Sequence, residues 1–193
     1  KSDLDVPFYN GAEVSNTFGR QGLKSINVKK NNTESKIEVD CLAVSGGWNP
    51  TLHLTCHMNG RPIWDEKILS FVPEIGAIPN MAVVGASNGF MDTHSCFMSA
   101  EKEVSRIIKS SGRTAKTKRL PKAELTKYEI APKWFVEGKG RAWLDYQNDV
   151  TVKDIQQSVQ ENFKSVEHMK RYTTQGMAID QGKNSNVASL AIL

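Results

Sequence analysis

The sequence predicts a mixed α/β fold, and three stretches carry that expectation. The first is Ile37 to Pro50, read IEVDCLAVSGGWNP, where Val39, Cys41, Leu42, Ala43 and Val44 form a nearly continuous apolar run. Such a run suits a strand buried on both faces, as in a parallel sheet covered by helices. The second is a pair of β-type segments flanking Gly19-Arg20-Gln21-Gly22. The third is Met81 to Ile108, where Ala82-Val83-Val84, the glycine-rich GASNG and a long helical period follow one another. In open α/β sheets ligands sit beyond the carboxyl ends of strands, so both glycine corners are candidate ligand positions.

Taken in order, Val14–Phe18 and Leu23–Val28 read as a hairpin, with Leu23, Ile26 and Val28 partly alternating with Lys24 and Asn27. Asn31-Asn32 makes the next turn, and Ile37 to Val44 returns as the buried strand. Gly46-Gly47 ends it by allowing positive φ and close approach, and Asn49-Pro50 enforces a turn. A short helix is expected over Thr51–Met58, with Pro50 in its first turn. His53 and His57 would share one face of it, but no third ligand completes a zinc site.

The GASNG turn runs from Gly85 to Gly89 and opens a helix near Asp92-Thr93, either of which is a sensible N-cap. Phe97, Ala100, Val104, Ile107 and Ile108 recur at helical spacing. A glycine-rich strand-to-helix turn aims free N–H groups at its ligand, with phosphate or ribose oxygens as natural guests. Cys96 lacks an evident base and reads as a packed cysteine. Gly112 ends the helix, and Arg113, Lys116, Lys118, Arg119, Lys122 and Lys127 then mark an exposed basic linker over 113–131. It lacks the interleaved aromatics of a nucleic-acid surface.

In the last part, Trp134–Val136 and Trp143–Tyr146 precede a helix over Thr151–Phe163 with Val152, Ile155, Val159 and Phe163 on one face. A second helix opens at Ser165 or Val166 and runs through Tyr172, with Gly176 as its stop. The tail begins another helix and is expected to leave Val187, Leu190, Ile192 and Leu193 uncovered, as in a truncated or continued element. His94 and His168 have no orienting partner visible in the sequence, so no catalytic residue is assigned.

The totals narrow the classes. The chain has 193 residues, 39% hydrophobic and 24% charged, which suits one medium domain or two small ones. A net charge of +4 permits an anionic ligand without announcing nucleic acid. No apolar run approaches the roughly 20 residues of a membrane helix. Three cysteines without metal-type spacing, and no secretory h-region at the start, lead to the expectation of a cytoplasmic protein.

The segments VSGGWNPTLHL, VVGASNGFMDTHS, LDYQNDVTVKDI and SVEHMKRYTTQGMAIDQGKNSNV, taken together, resemble the α subunit of heterotetrameric sarcosine oxidase from about Asp40 to Val187. That resemblance implies an internal piece of the α subunit. Residues 1–112 would be the C-terminal part of a FAD/NAD(P)-binding, two-dinucleotide-domain fold, 113–131 the basic linker, and 132–193 a small helical domain. The family oxidises sarcosine to glycine and passes the methyl carbon to tetrahydrofolate or releases it as formaldehyde. In it FAD and a covalently held FMN serve the β subunit, FMN lies at the α/β boundary, and NAD sits in α.

By the same resemblance the NAD-contacting positions are Gly85, Ala86, Met91 and Thr93, with Gly46, Gly47 and Pro50 passing beside the dinucleotide. Ala86 stands where flavin-binding relatives carry an acidic residue, which favours NAD over FAD there. The small helical domain also looks like [2Fe–2S] domains whose four ligand positions fall here on Asp145, Gln147, Asp180 and Ser185. None is a thiolate, so no iron–sulfur cluster and no metal is expected. Lys170, Arg171, Thr173, Thr174 and Lys183 are candidate contacts to the FMN phosphate at the partner-subunit interface. The expected partners are the β subunit and the other subunits of a heterotetramer, with no nucleic acid and no membrane. The competing reading is a stand-alone, non-catalytic interaction module that kept a dinucleotide-binding type of fold.

Overall fold

A computed structural model describes residues 6–116 and 119–193, so Lys118 of the basic run lies outside the described residues. The described chain divides into two compact units, one built from its residues up to Val44 and from Lys133 to Leu193, the other from Ser45 to Pro132. These units cut the chain differently from the expected domains, because residues 45–132 form an insertion within the first unit.

In the first unit, β1 (Glu13–Phe18), β2 (Ser25–Lys30) and β3 (Thr33–Glu38) make an antiparallel meander in the order β1-β2-β3. The expected hairpin is present: Lys24 N–H donates to the Phe18 carbonyl at 2.8 Å, and Asn31 takes the positive φ of the second turn. Ile26 and Val28 are buried on β2. A bulge between Val14 and Asn16 leaves Ser15 out of the ladder. The Ser15 carbonyl lies 2.4 Å from where a Cβ on Gly138 would stand, so only glycine fits there. Lys133 and Glu13 add an ion pair at 2.6 Å.

The last strand of this meander stops earlier than the sequence suggested. β3 ends at Glu38, Val39 N–H still reaches the Lys24 carbonyl at 3.2 Å, and 41–44 joins no helix or ladder and is exposed. The run from Val39 to Val44 is therefore not a buried parallel strand. It is the segment by which the chain passes from one unit into the other, and no neighbouring strand covers its apolar side chains among the described residues. All three small sheets of the described residues are antiparallel.

The C-terminal part of the same unit holds a buried apolar cluster. β6 (Trp143–Asp145) pairs with β7 (Val150–Thr151), and α3 (Val152–Gln160) follows at once. Thr151 and Asp154 form a reciprocal capping box at its start. Replacing Thr151 by alanine removes one half of that box and lowers stability by about 1–2 kcal/mol. Thermal or urea unfolding checks this, and an unchanged midpoint rejects the cap as a stabilising element. Val150, Ile155 and Met169 are buried together, with Leu144, Ile192 and Leu193 packed against them. The tail helix α5 (Asn186–Ile192) is thus docked, correcting the expectation that Ile192 and Leu193 stand uncovered.

Helix α4 (Val166–Thr173) starts at Ser165, whose hydroxyl accepts the His168 N–H. It ends at Thr174 in the left-handed conformation (φ 62°), two residues before the glycine that the sequence offered as a stop. Gly176 instead gives its N–H to the buried carboxylate of Asp145. Phe163 stacks on Tyr172 with ring centroids 4.8 Å apart, which ties the end of α3 to α4.

The second unit contains α1 (His53–His57), the hairpin β4 (Pro62–Asp65) and β5 (Ser70–Pro73), a 3₁₀ turn over Gly85–Asn88 and α2 (Thr93–Ser110). Ile68, Leu69, Val72 and Ile78 are its buried apolar residues. Met81 to Val84 joins no ladder, so the expected strand Ala82–Val84 does not form one here. Helix α2 ends as expected, with Gly112 at φ 73° and its N–H on the Lys109 carbonyl at 3.0 Å. No residue of α2 is fully buried, and Val104 and Ile107 on its apolar stripe are exposed. No helix of the described residues is long and apolar enough to cross a membrane.

Candidate functional site

Both glycine corners belong to the second unit, and both lean on one strand. Asn49 Oδ1 accepts from Ser70 Oγ at 2.9 Å, which fastens the Gly46–Pro50 turn to β5. Two residues along β5, Val72 Cγ1 lies 3.0 Å from where a Cβ on Gly89 would stand, and Ile68 Cδ1 lies at 3.2 Å. Alternate residues of a strand share a face and are separated by roughly 7 Å, so both corners touch the same face of β5. Gly89 at φ 85° is in the left-handed region, which its close approach to Val72 also reserves for glycine.

The corners differ in how open they are. Pro50 is buried at the base of its turn. Gly46 faces open space, with nothing within 4 Å of where a Cβ would stand. Gly47, at φ 102°, is packed against the Tyr128 hydroxyl and Ile130 Cδ1, each 3.1 Å from the corresponding position. Cys96 Sγ lies 3.6 Å from where a Cβ on Gly85 would stand and donates to the Phe90 carbonyl at 3.1 Å, so Cys96 is the packed cysteine expected. The Gly85 N–H donates to Ser99 Oγ at 2.8 Å, and Ala86 is exposed.

At the start of α2, Asp92 is the N-cap and its Oδ1 accepts the Ser95 N–H at 2.9 Å. Hydrogen bonds from Ser95 hold the Asp92 carboxyl below the usual range and outweigh its partial desolvation, with the charge of His94 a smaller aid. This carboxylate changes the expected guest. A phosphate at the same helix end would meet a like charge, whereas ribose hydroxyls can donate to it. Met91 is half-buried and Thr93 exposed beside it.

Met91, Asp92 and Thr93 line a hollow of about 430 Å³ whose other wall is Ala123, Glu124, Thr126, Lys127 and Tyr128. Residues of the supposed free linker are thus part of the site. His94 Nδ1 meets the Ala123 carbonyl at 3.3 Å, and since a carbonyl only accepts, that nitrogen carries the proton. At the other end the Trp48 N–H donates to the Tyr128 hydroxyl at 3.5 Å. A larger hollow of about 520 Å³ takes Asn88 and Phe90 from the turn and Ser99, Lys102 and Arg106 from α2, but no residue assigned to the dinucleotide.

Sequence reasoning missed Tyr128. The signal available was an aromatic residue, with Ile130 two positions on, inside a lysine-rich stretch. His53 and His57 sit at opposite ends of five-residue α1, and among the described residues no group of three or more His, Cys, Asp or Glu could hold a metal ion.

In the first unit, Asp145 and Ser185 are buried and meet around Gln175 and Gly176. Asp145 Oδ2 accepts the Gly176 N–H at 2.9 Å, while Oδ1 accepts those of Gln147 at 2.9 Å and Asn148 at 3.3 Å. Burial alone would raise its pKa, and these three backbone donors reverse that, holding the carboxyl below the usual range. Ser185 Oγ accepts from Gln175 Nε2 at 2.7 Å. Gln147 is exposed, and Asp180 accepts the Gly182 N–H. None of the four positions offers the thiolate on which iron–sulfur ligation relies, and Asp145 and Asp180 already accept backbone N–H groups.

Of the candidate interface residues, Arg171, Thr174 and Lys183 are exposed and Lys170 is half-buried. The Thr173 hydroxyl is committed to the backbone, donating to the Met169 carbonyl at 2.8 Å and accepting the Gln175 N–H at 3.2 Å.

Residues 139–193 match the family model described as the sarcosine oxidase A3 domain. The chain is 34% identical over 185 residues to the sarcosine oxidase subunit alpha of Rhizobium meliloti (strain 1021), covering 94% of this chain and 19% of that protein. It is also 34% identical over 167 residues to the counterpart from Corynebacterium sp. (strain P-1), and 32% identical over 192 residues to that from Corynebacterium sp. (strain U-96). These matches cover 82% and 94% of this chain, and 17% and 20% of those relatives. The chain therefore spans about a fifth of the length of the relatives it matches. Among solved structures, L-proline dehydrogenase from P. horikoshii is similar in fold, with a TM-score of 0.60 at 15% identity, over 92% of this chain and 38% of that one.

Proposed function

From the premise that the chain belongs to the sarcosine oxidase α-subunit family, we propose that it is the part of such a subunit that holds NAD and meets the flavin-bearing partner. The complex would oxidise sarcosine to glycine and hand the methyl carbon to tetrahydrofolate. The observation that carries the NAD assignment is the seating of both glycine corners on one face of β5, through Ser70 and Val72. Gly46, open to solvent, gives the dinucleotide backbone its approach, Met91 supplies apolar cover, and the Thr93 hydroxyl and Asp92 carboxylate suit ribose oxygens. Gly85 and Ala86 shape the turn before α2, and Gly47 and Pro50 hold the opposing one. NAD would bring a hydride-accepting nicotinamide, but no residue of this chain is placed to act on sarcosine, and chemistry at the amine would belong to the partner subunit.

In this reading residues 1–112, the strap of 113–131 and the helical part 132–193 correspond to the end of the dinucleotide region, its connection and a small domain that has become an interface. Lys170, Arg171, Thr174 and Lys183 would approach the FMN phosphate of the β subunit, with Thr173 holding the turn behind them. No iron–sulfur cluster would bind. The uncovered stripe of α2 and the unpaired apolar segments 41–44 and 81–84 fit a chain completed by further polypeptide of the same subunit.

The test is Gly46→Leu in the full subunit. Space at Gly46 is open, so the variant folds with an unchanged melting temperature, while its side chain blocks the dinucleotide and weakens NAD binding about a hundredfold, the equivalent of roughly 2.8 kcal/mol. Wild-type affinity in that variant rejects the site. Expressed alone, the chain should be colourless, and tight co-purification with a β subunit favours the enzyme over the stand-alone module.

A further inference from the structure

We propose that Tyr128 is a positioning residue for the dinucleotide site, pinning the Gly46–Pro50 turn across the hollow from Met91 and Thr93. The inference rests on the NAD reading above and extends it to a segment that no family motif assigns. Three observations support it. The Tyr128 hydroxyl sits 3.1 Å from the Cβ position of Gly47 and 3.5 Å from the Trp48 nitrogen, so it touches the first glycine corner. The same residue lines the hollow that Met91, Asp92 and Thr93 line from the second corner. Upstream, the Ala123 carbonyl is held by His94 in the first turn of α2. The strap is therefore fixed at one corner by Ala123 and at the other by Tyr128, with Ile130 beside it against Gly47.

Both contacts to that turn are made by the Tyr128 hydroxyl, which packs against Gly47 and accepts a long, weak hydrogen bond from Trp48. A half-buried tyrosine whose hydroxyl reaches one turn, on a segment that His94 anchors beside the other, restricts their relative motion at little entropic cost of its own. With the hydroxyl in place the Gly46 corner is preorganised for the ligand; without it, binding has to order that corner first.

The experiment uses the full subunit freed of nucleotide, with NAD titrated by equilibrium dialysis and backbone hydrogen exchange followed at Trp48. Tyr128→Ala is expected to weaken NAD binding about tenfold, with faster exchange at Trp48. Tyr128→Phe removes only the hydroxyl that touches the turn and is expected to weaken binding about threefold, again with faster exchange at Trp48. Wild-type affinity in Tyr128→Ala overturns the proposal, as does unchanged exchange at Trp48 in Tyr128→Phe. A wild-type subunit that binds no NAD rejects the dinucleotide reading instead. The pinning is then decided by exchange alone: unchanged protection at Trp48 in Tyr128→Ala overturns it, and faster exchange upholds it.

Discussion

Asp145→Ala is expected to lower the unfolding free energy by roughly 3–5 kcal/mol, the largest effect of any single substitution considered. Three backbone N–H groups, from Gly176, Gln147 and Asn148, converge on this one buried carboxylate. Truncation leaves them without an acceptor where water has little access, and each hydrogen bond to a charged group contributes about 1.5–3 kcal/mol, not fully additively. Asp145→Asn keeps one carbonyl oxygen and should lose about half as much. The acid dependence follows from the same bonds. The folded carboxyl is held below its unfolded value of about 3.9, so its stabilisation is complete above that value and fades as pH falls through the folded pKa. Urea unfolding between pH 3 and 6 should show a shallower acid limb in Asp145→Asn than in wild type. Superimposable limbs would show that Asp145 contributes nothing through its charge.

Gly89→Ala is the second large effect, roughly 2–5 kcal/mol, and it differs from a change at Gly46. At φ 85° a side chain adds about 1–2 kcal/mol of backbone strain. The new methyl would also stand 3.0 Å from Val72 and 3.2 Å from Ile68, both buried and unable to retreat, which adds overpacking of about 1–3 kcal/mol. The turn would lift off β5 and separate the two corners. Both a lower melting temperature and weaker NAD retention are expected, whereas Gly46→Leu loses the ligand alone. A Gly89→Ala protein that melts like wild type would show that the corner is not packed as described.

Local rules recovered much of this chain, and tertiary ones did not. The hairpin at Gly19–Gly22, the helix starts near Asp92, Thr151 and Ser165 and the stop at Gly112 all depend on residues within a few positions of one another, so each was legible. The runs at Cys41–Val44 and Ala82–Val84 show why the sheet was not. An apolar run records a need for cover, and nothing in it says which strand provides that cover. Thr174 escaped because a β-branched residue is a poor guess for a left-handed cap when glycine stands two positions later. Tyr128 escaped because its partner, the Gly47–Trp48 turn, lies 80 residues away from it in the chain. Asp145 was singled out only as a replaced ligand position, and its work as an acceptor needed the Gly176 amide to be seen beside it.

The bulge at Ser15 and the glycine it meets set a timetable for biosynthesis. All of residues 45–132 must leave the ribosome after the meander and before Gly138 can reach it. At roughly 5–20 residues per second that is a delay of several seconds. During it the nascent sheet waits with its bulged edge free, so slowing translation ahead of Lys133 should lengthen exposure to chaperones or proteases.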